Sequence, residues 1–409
     1  MTIIQTYKKI RNNRHFDNFK KFAIGGILTI LLGYISTYLI NKHLSKEDLG
    51  LFSYHQSVMI LLTSIFSVGV HHAYLRFNNE NANQKELANI IRKITIITTL
   101  GLFLFSYLLF ENIYISVLSF IILFNERIYF YRSSKRIRRM NILKYFYYLI
   151  LIILICSFIY YGGIDYEKVI LALGGSYLLI YIVDVVYGKY NFLQSDKSKI
   201  IIPVKKIFLY SLPLAGAEVV RWILQYSDQV LMKEFLTVIE LANYAIAVRI
   251  LNVIQIFTSL FLLYYPMLYF EEADKKNFKI IKSIRLGFII LLCFVVVVLI
   301  FLRRSLYIIM GAEQYLNYTY IFVILIIAEV TRIVGSLFLT FRTYRLQTWF
   351  TTLTILVSAI FAITCNFIFL PRHGIIVAAI VQVVTSVIYL LLVYFLAIRQ
   401  ERVYFRLQV

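Results

Sequence analysis

Residues 375–398 read IIVAAIVQVVTSVIYLLLVYFLAI, 24 positions without an Asp, Glu, Lys or Arg, bounded by Arg372 and Arg399. As α-helix, at about 1.5 Å per residue, such a run crosses the roughly 30 Å hydrocarbon core of a bilayer. A barrel strand would need only about ten residues of alternating pattern, which this is not. Eleven further runs lie near 22–41, 52–70, 94–110, 113–131, 145–161, 169–187, 207–230, 241–265, 286–302, 316–338 and 349–370. Of 409 residues, 60% are apolar and 15% charged, with only four prolines and sixteen glycines to interrupt them; the mean hydropathy is +0.77. These figures exclude a water-soluble protein. The fold expected is all-α: an integral membrane protein of about twelve transmembrane helices with no separate soluble domain.

The net charge of +21 would suggest nucleic acid in a soluble chain. Here the charges sort by membrane side instead. Taking alternate connections with the N-terminal side as reference, 31 Lys and Arg fall on that side, 7 on the other and 4 within spans. The rule that basic loops stay inside therefore predicts that both termini are cytoplasmic, and no nucleic-acid partner is expected. The opposite connections are short, the longest being about 13 residues, so an outer-loop polymerase or ligase is disfavoured. No GxxxxGK[ST] occurs, which argues against direct use of ATP. The first residues carry no cleavable signal, so the first span is expected to stay as an anchor. Cys156, Cys293 and Cys365 are widely spaced inside apolar runs, and suggest neither disulfide nor zinc.

Two halves, 1–200 and 201–409, each hold six spans, and their first hairpins correspond. Leu44-Ser45-Lys46-Glu47-Asp48-Leu49-Gly50-Leu51-Phe52 matches Leu236-Thr237-Val238-Ile239-Glu240-Leu241-Ala242-Asn243-Tyr244, and the distance from the leading Leu to a closing Phe (Phe77, Phe270) is 33 and 34 residues. An even number of spans gives both halves one orientation. The expectation is two six-helix bundles related by a pseudo-twofold axis around a central cavity, working by alternating access.

Ionisable groups within spans cost at least about 2.5–3.5 kcal/mol unless paired or hydrated. Glu218, Arg221, Gln225 and Asp228 recur at helical steps of 3, 4 and 3, and Arg249, Asn252, Gln255 and Ser259 follow similarly in the next span. One reading pairs Glu218 with Arg221 against a neighbouring helix. The other makes Arg221 and Arg249, with Gln225 and Asn252, an anion-binding surface, with Asp228 near the outer mouth. Glu126-Arg127 and Glu329 with Arg332 occupy corresponding spans of the two halves. Their arginines are expected to snorkel to the headgroups; a gate is the sharper alternative, with Asp184 as a further partner. His71 and His72 are expected at the interface rather than in a proton relay. No metal site is expected.

Gly25-Gly26, the Leu44–Phe52 turn, Gly69, Ala73 and Arg76, together with Ser227-Asp228-Gln229-Val230-Leu231, Tyr244-Ala245-Ile246-Ala247 and Pro266, resemble Wzx-type O-antigen and polysaccharide flippases of the multidrug/oligosaccharidyl-lipid/polysaccharide exporter superfamily. Lys46, Gln229 and Asn243 depart from that pattern. The resemblance implies a non-enzymatic flippase. It would move undecaprenyl-pyrophosphate-linked oligosaccharide to the outer leaflet of a bacterial inner membrane without a cofactor. Proton or sodium antiport, and glycan polymerase and chain-length partners, would accompany it. The alternatives are a cation-coupled multidrug exporter of the same superfamily and a membrane glycan polymerase or ligase.

Overall fold

The computed structural model describes residues 14–77, 84–134, 136–187, 202–345, 347 and 349–407. Described residues form helices joined by short turns. The long ones are α1 (Arg14–His43), α2 (Lys46–Phe66), α3 (Gln84–Phe110), α4 (Ile121–Ser133, preceded by short turns from Ile113), α5 (Ile137–Gly162), α6 (Tyr166–Tyr187), α7 (Val204–Phe235), α8 (Val238–Asp274), α9 (Phe278–Phe301), α10 (Thr319–Tyr344), α11 (Trp349–His373) and α12 (Ile375–Val393). A π-helical segment, Tyr394–Ile398, leads from α12 into the terminal helix α13 (Arg399–Leu407). Ten of these helical stretches are long and apolar enough to cross a membrane. α1 and α8 add helices of 30 and 37 residues at the two remaining expected positions. Large apolar side chains stay exposed along them, such as Phe294, Val297 and Phe301 of α9. In water that surface would be intolerable, and lipid is its natural solvent.

The corresponding hairpins close with the same chemistry. Ser45 Oγ accepts from the Asp48 backbone N–H at 3.0 Å and donates to its carboxylate at 2.6 Å. Thr237 caps α8 in a reciprocal capping box with Glu240. Each cap satisfies backbone donors that a helix start leaves unpaired, so the paired motifs mark where α2 and α8 begin.

The chain forms two compact units, one of residues 1–44 and 58–218, the other of residues 45–57 and 219–409. The start of α2 thus belongs with the second unit, and α7 up to Glu218 with the first. Within the second unit Gly50 of α2 lies against the start of α8, and a Cβ there would stand 2.2 Å from the Val238 carbonyl oxygen. Backbone cannot yield as a side-chain tip can, so Gly50→Ala is expected to cost about 1–3 kcal/mol by overpacking. A lowered melting temperature of the detergent-purified variant would show it; an unchanged one would contradict the close approach.

Beyond Phe66 in the first unit, Val68 and Gly69 take left-handed conformations at φ 48° and 62°. The chain then continues as a 3₁₀ turn, Val70–His72, and a short helix, Ala73–Phe77. Gly69 nestles against α7, where a Cβ would lie 2.9 Å from the Ser211 carbonyl oxygen. This break brings both histidines against α7.

Candidate functional site

In the second unit a polar chain runs through five helices. Arg332 of α10 donates to Glu329 Oε2 through Nε and Nη2, at 3.2 and 2.8 Å, and through Nη1 to Gln382 Oε1 of α12 at 2.8 Å. Gln382 Nε2 donates to Asp228 Oδ2 of α7 at 3.0 Å, and the Tyr244 hydroxyl of α8 donates to the same oxygen. The Gln229 backbone N–H donates to Asp228 Oδ1 at 2.8 Å. Ser57 Oγ of α2 lies 3.0 Å from Gln229 Oε1 and donates to the Ser53 carbonyl at 2.8 Å. Ser53 Oγ in turn accepts from Arg249 Nη2 of α8 at 3.0 Å, and the Arg249 guanidinium lies 4.7 Å from the Phe52 ring centre. Asp228 is 1% exposed. It is therefore a buried junction, because three donors from α7, α8 and α12 hold it inside the unit.

Outside that chain the second unit presents Arg221, Gln225 and Asn252, all exposed and without a side-chain hydrogen-bond partner among the described residues. Arg221 sits near the middle of the 32-residue α7. A bare guanidinium at that depth cannot face hydrocarbon without a penalty of at least about 2.5–3.5 kcal/mol, so it requires a hydrated space. The side chains of Gln255 and Ser259 lie outside the described residues.

Glu218, the last residue of the first unit, does not pair with Arg221. Its Oε1 lies 2.8 Å from His72 Nε2 and 3.8 Å from His71 Nε2. Tyr129 packs against both imidazoles, with ring centres 4.3 and 5.0 Å away. The break at Val68-Gly69 supplies Glu218 with partners from the 3₁₀ turn Val70–His72. The three donor groups lie within 4.8 Å of one another, near enough to share a cation.

Elsewhere in the first unit, Arg127 is 0% exposed and does not snorkel. Its Nε and Nη2 grip both oxygens of the adjacent Glu126 at 2.6 and 2.8 Å, and the Tyr74 hydroxyl donates to Glu126 Oε1 at 2.5 Å. Asp184 of α6 lies 3.7 Å from Arg127 Nη1 and accepts from the Tyr131 hydroxyl at 2.7 Å. With its charge matched by two acids and its face against Phe130 at 5.1 Å, the guanidinium has no need to reach the interface. Arg332 likewise stays with Glu329 and Gln382. Glu126-Arg127 and Glu329–Arg332 are thus internal ties of their own units.

Residues 17–269 match the sequence pattern of the family described as polysaccharide biosynthesis protein. The chain belongs to that family. Among proteins of curated function, none matches this chain by sequence. Its fold is similar to that of an inward-facing multidrug resistance MATE family transporter of the MOP superfamily, with a TM-score of 0.73, 12% identity and coverage of 92% of this chain and 95% of the other. It is also similar to the lipid II flippase MurJ in an inward closed conformation, with a TM-score of 0.64, 14% identity and coverage of 91% and 86%. A MOP superfamily transporter from Pyrococcus furiosus, described as having a binding pocket of reversed polarity, gives 0.56 at 13% identity, covering 92% and 94%. The chain is therefore a multi-pass membrane protein with a MATE- and MurJ-like fold.

Sequence reasoning missed Ser53, Ser57, Tyr244 and Gln382. A hydroxyl or amide carries no charge to betray it among apolar neighbours. Gln382 is nonetheless the only amide in the uncharged run 375–398, and that was a readable signal.

Proposed function

We propose that this protein is a flippase for an undecaprenyl-pyrophosphate-linked oligosaccharide, an O-antigen or similar repeat unit. It would move the lipid from the inner to the outer leaflet of a bacterial inner membrane, with both termini cytoplasmic. One observation carries the reading: a mid-span arginine, Arg221, exposed and without a side-chain hydrogen-bond partner among the described residues, in a member of the polysaccharide biosynthesis family. The buried acids favour the same sign of cargo. Glu126 and Asp228 are both taken up by protein donors, so neither is presented to a cationic drug. Arg221 with Gln225 and Asn252 would hold the pyrophosphate and neighbouring sugar hydroxyls, a headgroup that cannot enter hydrocarbon unaided.

Two negative charges moving outward through an inside-negative potential of 100 mV would release on the order of 4–5 kcal/mol, enough to bias direction. Proton or sodium antiport would add to this through Glu218 with His71 and His72. The lipid-linked oligosaccharide, bilayer lipids and the polymerase and chain-length machinery acting on the flipped product are the partners of this reading.

Reconstituted vesicles tests it. Polyprenyl-pyrophosphate oligosaccharide in the inner leaflet should become accessible to an external glycosidase only when the protein is present, faster with an imposed potential of the favourable sign. Export of a cationic dye without movement of the glycolipid would refute it.

A further inference from the structure

A cavity of about 910 Å3 opens in the second unit where the α8–α9 connection meets α13. Four cations line it, Lys276, Lys279, Lys282 and Arg285, against one carboxylate, Glu401. Its floor is built and internally neutral. Arg285 Nη1 donates to both oxygens of Glu401, at 3.1 and 2.9 Å, and the Tyr269 hydroxyl donates to Glu401 at 2.8 Å. The Arg285 guanidinium lies 4.0 Å from the Phe338 ring centre, and Phe278 stacks on Phe405 at 3.9 Å between centres, which makes the walls apolar.

The lysines are in a different condition. Neighbouring Lys275 is occupied by Glu271 and Glu272, at 2.5 and 3.2 Å. Lys276, Lys279 and Lys282 are exposed, with no side-chain partner among the described residues. Lys276 adopts φ 57° at the turn into α9, and Lys279 and Lys282 follow one helical step apart. Three uncompensated ammonium groups thus overhang an aromatic pocket. The position along α9 decides the solvent. Leu286, Ile290, Leu291 and Phe294 are exposed apolar residues immediately beyond Arg285, so the lysines stand at the boundary between water and acyl chains.

We infer that this cavity binds the phosphate headgroup of an anionic bilayer phospholipid, Lys276, Lys279 and Lys282 holding the phosphate and the Phe278, Phe338 and Phe405 walls taking the start of its chains. A free phosphate would match the lysines but leave the aromatic walls unused, whereas an amphiphile uses both. The volume lies within the range of small-ligand sites. The site is separate from Arg221 and would anchor this end of the second unit to the leaflet beside it. That this is the cytoplasmic leaflet rests on the proposed orientation; binding itself does not.

The full-length protein in neutral detergent is titrated with dioctanoyl phosphatidylglycerol, dioctanoyl phosphatidylcholine and sodium phosphate, with bound lipid counted by native mass spectrometry. Phosphatidylglycerol is expected to bind and phosphatidylcholine not. The Lys276→Gln, Lys279→Gln, Lys282→Gln triple variant, whose changes are exposed and leave the floor intact, should bind phosphatidylglycerol at least tenfold more weakly. Tenfold is only about twofold for each of the three lysines, well within the roughly fivefold that one basic residue beside an anionic surface contributes. Equal binding by parent and variant, equal binding of both lipids, or displacement of phosphatidylglycerol by millimolar phosphate would each overturn the assignment. Because no transport is measured, failure here leaves the flippase reading standing, and failure of transport leaves this site standing.

Discussion

Glu126→Ala is expected to be the most damaging single substitution in the first unit, lowering stability by about 3–5 kcal/mol, the usual consequence of leaving a buried charge unmatched. The 0% exposed Arg127 guanidinium would lose both short hydrogen bonds, and the Tyr74 hydroxyl would lose its acceptor. Asp184, 3.7 Å from Arg127 Nη1, can recover part of the loss by moving closer, so the lower end of that range is the better expectation. Thermal unfolding of the detergent-solubilised protein, followed by loss of the monodisperse peak, measures it. Replacing both partners, Glu126→Leu with Arg127→Leu, should return much of the stability, since an apolar pair of similar volume avoids desolvating two charges. A single variant that melts with the parent would mean that Glu126 is not what neutralises Arg127.

Arg221→Ala should reduce glycolipid translocation by about tenfold or more at unchanged abundance and melting temperature. A charge-assisted hydrogen bond to a phosphate contributes about 1.5–3 kcal/mol, which is roughly 10- to 150-fold. Among the described residues this exposed side chain has no hydrogen-bond partner, so its loss should be felt chiefly by cargo. Arg221→Lys keeps the charge but not the two-pronged geometry, and should retain part of the activity. Arg249→Ala serves as the contrast. Arg249 is hydrogen-bonded to Ser53 and packed on Phe52, so its removal should lower thermal stability together with transport. Parental flipping by Arg221→Ala would exclude this arginine as the headgroup site.

The contrast between these two arginines shows how far one sequence can be read. Both stood out as charges inside apolar runs, but Arg221 had an acid three residues before it and Arg249 had none within a helical turn, so spacing marked Arg249 as the one available. Whether Arg249 would find a partner depended on Ser53, 196 positions earlier, which no helical periodicity connects to it. Glu218 and Arg221, three residues apart, were a plausible pair from spacing alone. The αL turn at Val68-Gly69 overrode that proximity by delivering His72 from 146 positions away.

Long uncharged runs and the sorting of 31 basic residues to one set of connections determined the spans, their number and the expected orientation. Each of these depends only on local hydropathy and on the cost of moving charge across a bilayer, both properties of short stretches of chain. Tertiary structure decided which intramembrane charges are spent and which are presented. Asp228, Glu126 and Arg127 are consumed inside their units, Arg249 is tied to α2, and Arg221 remains exposed. Such pairings need groups brought within about 3 Å by packing between distant helices, a condition that residue type and spacing do not contain.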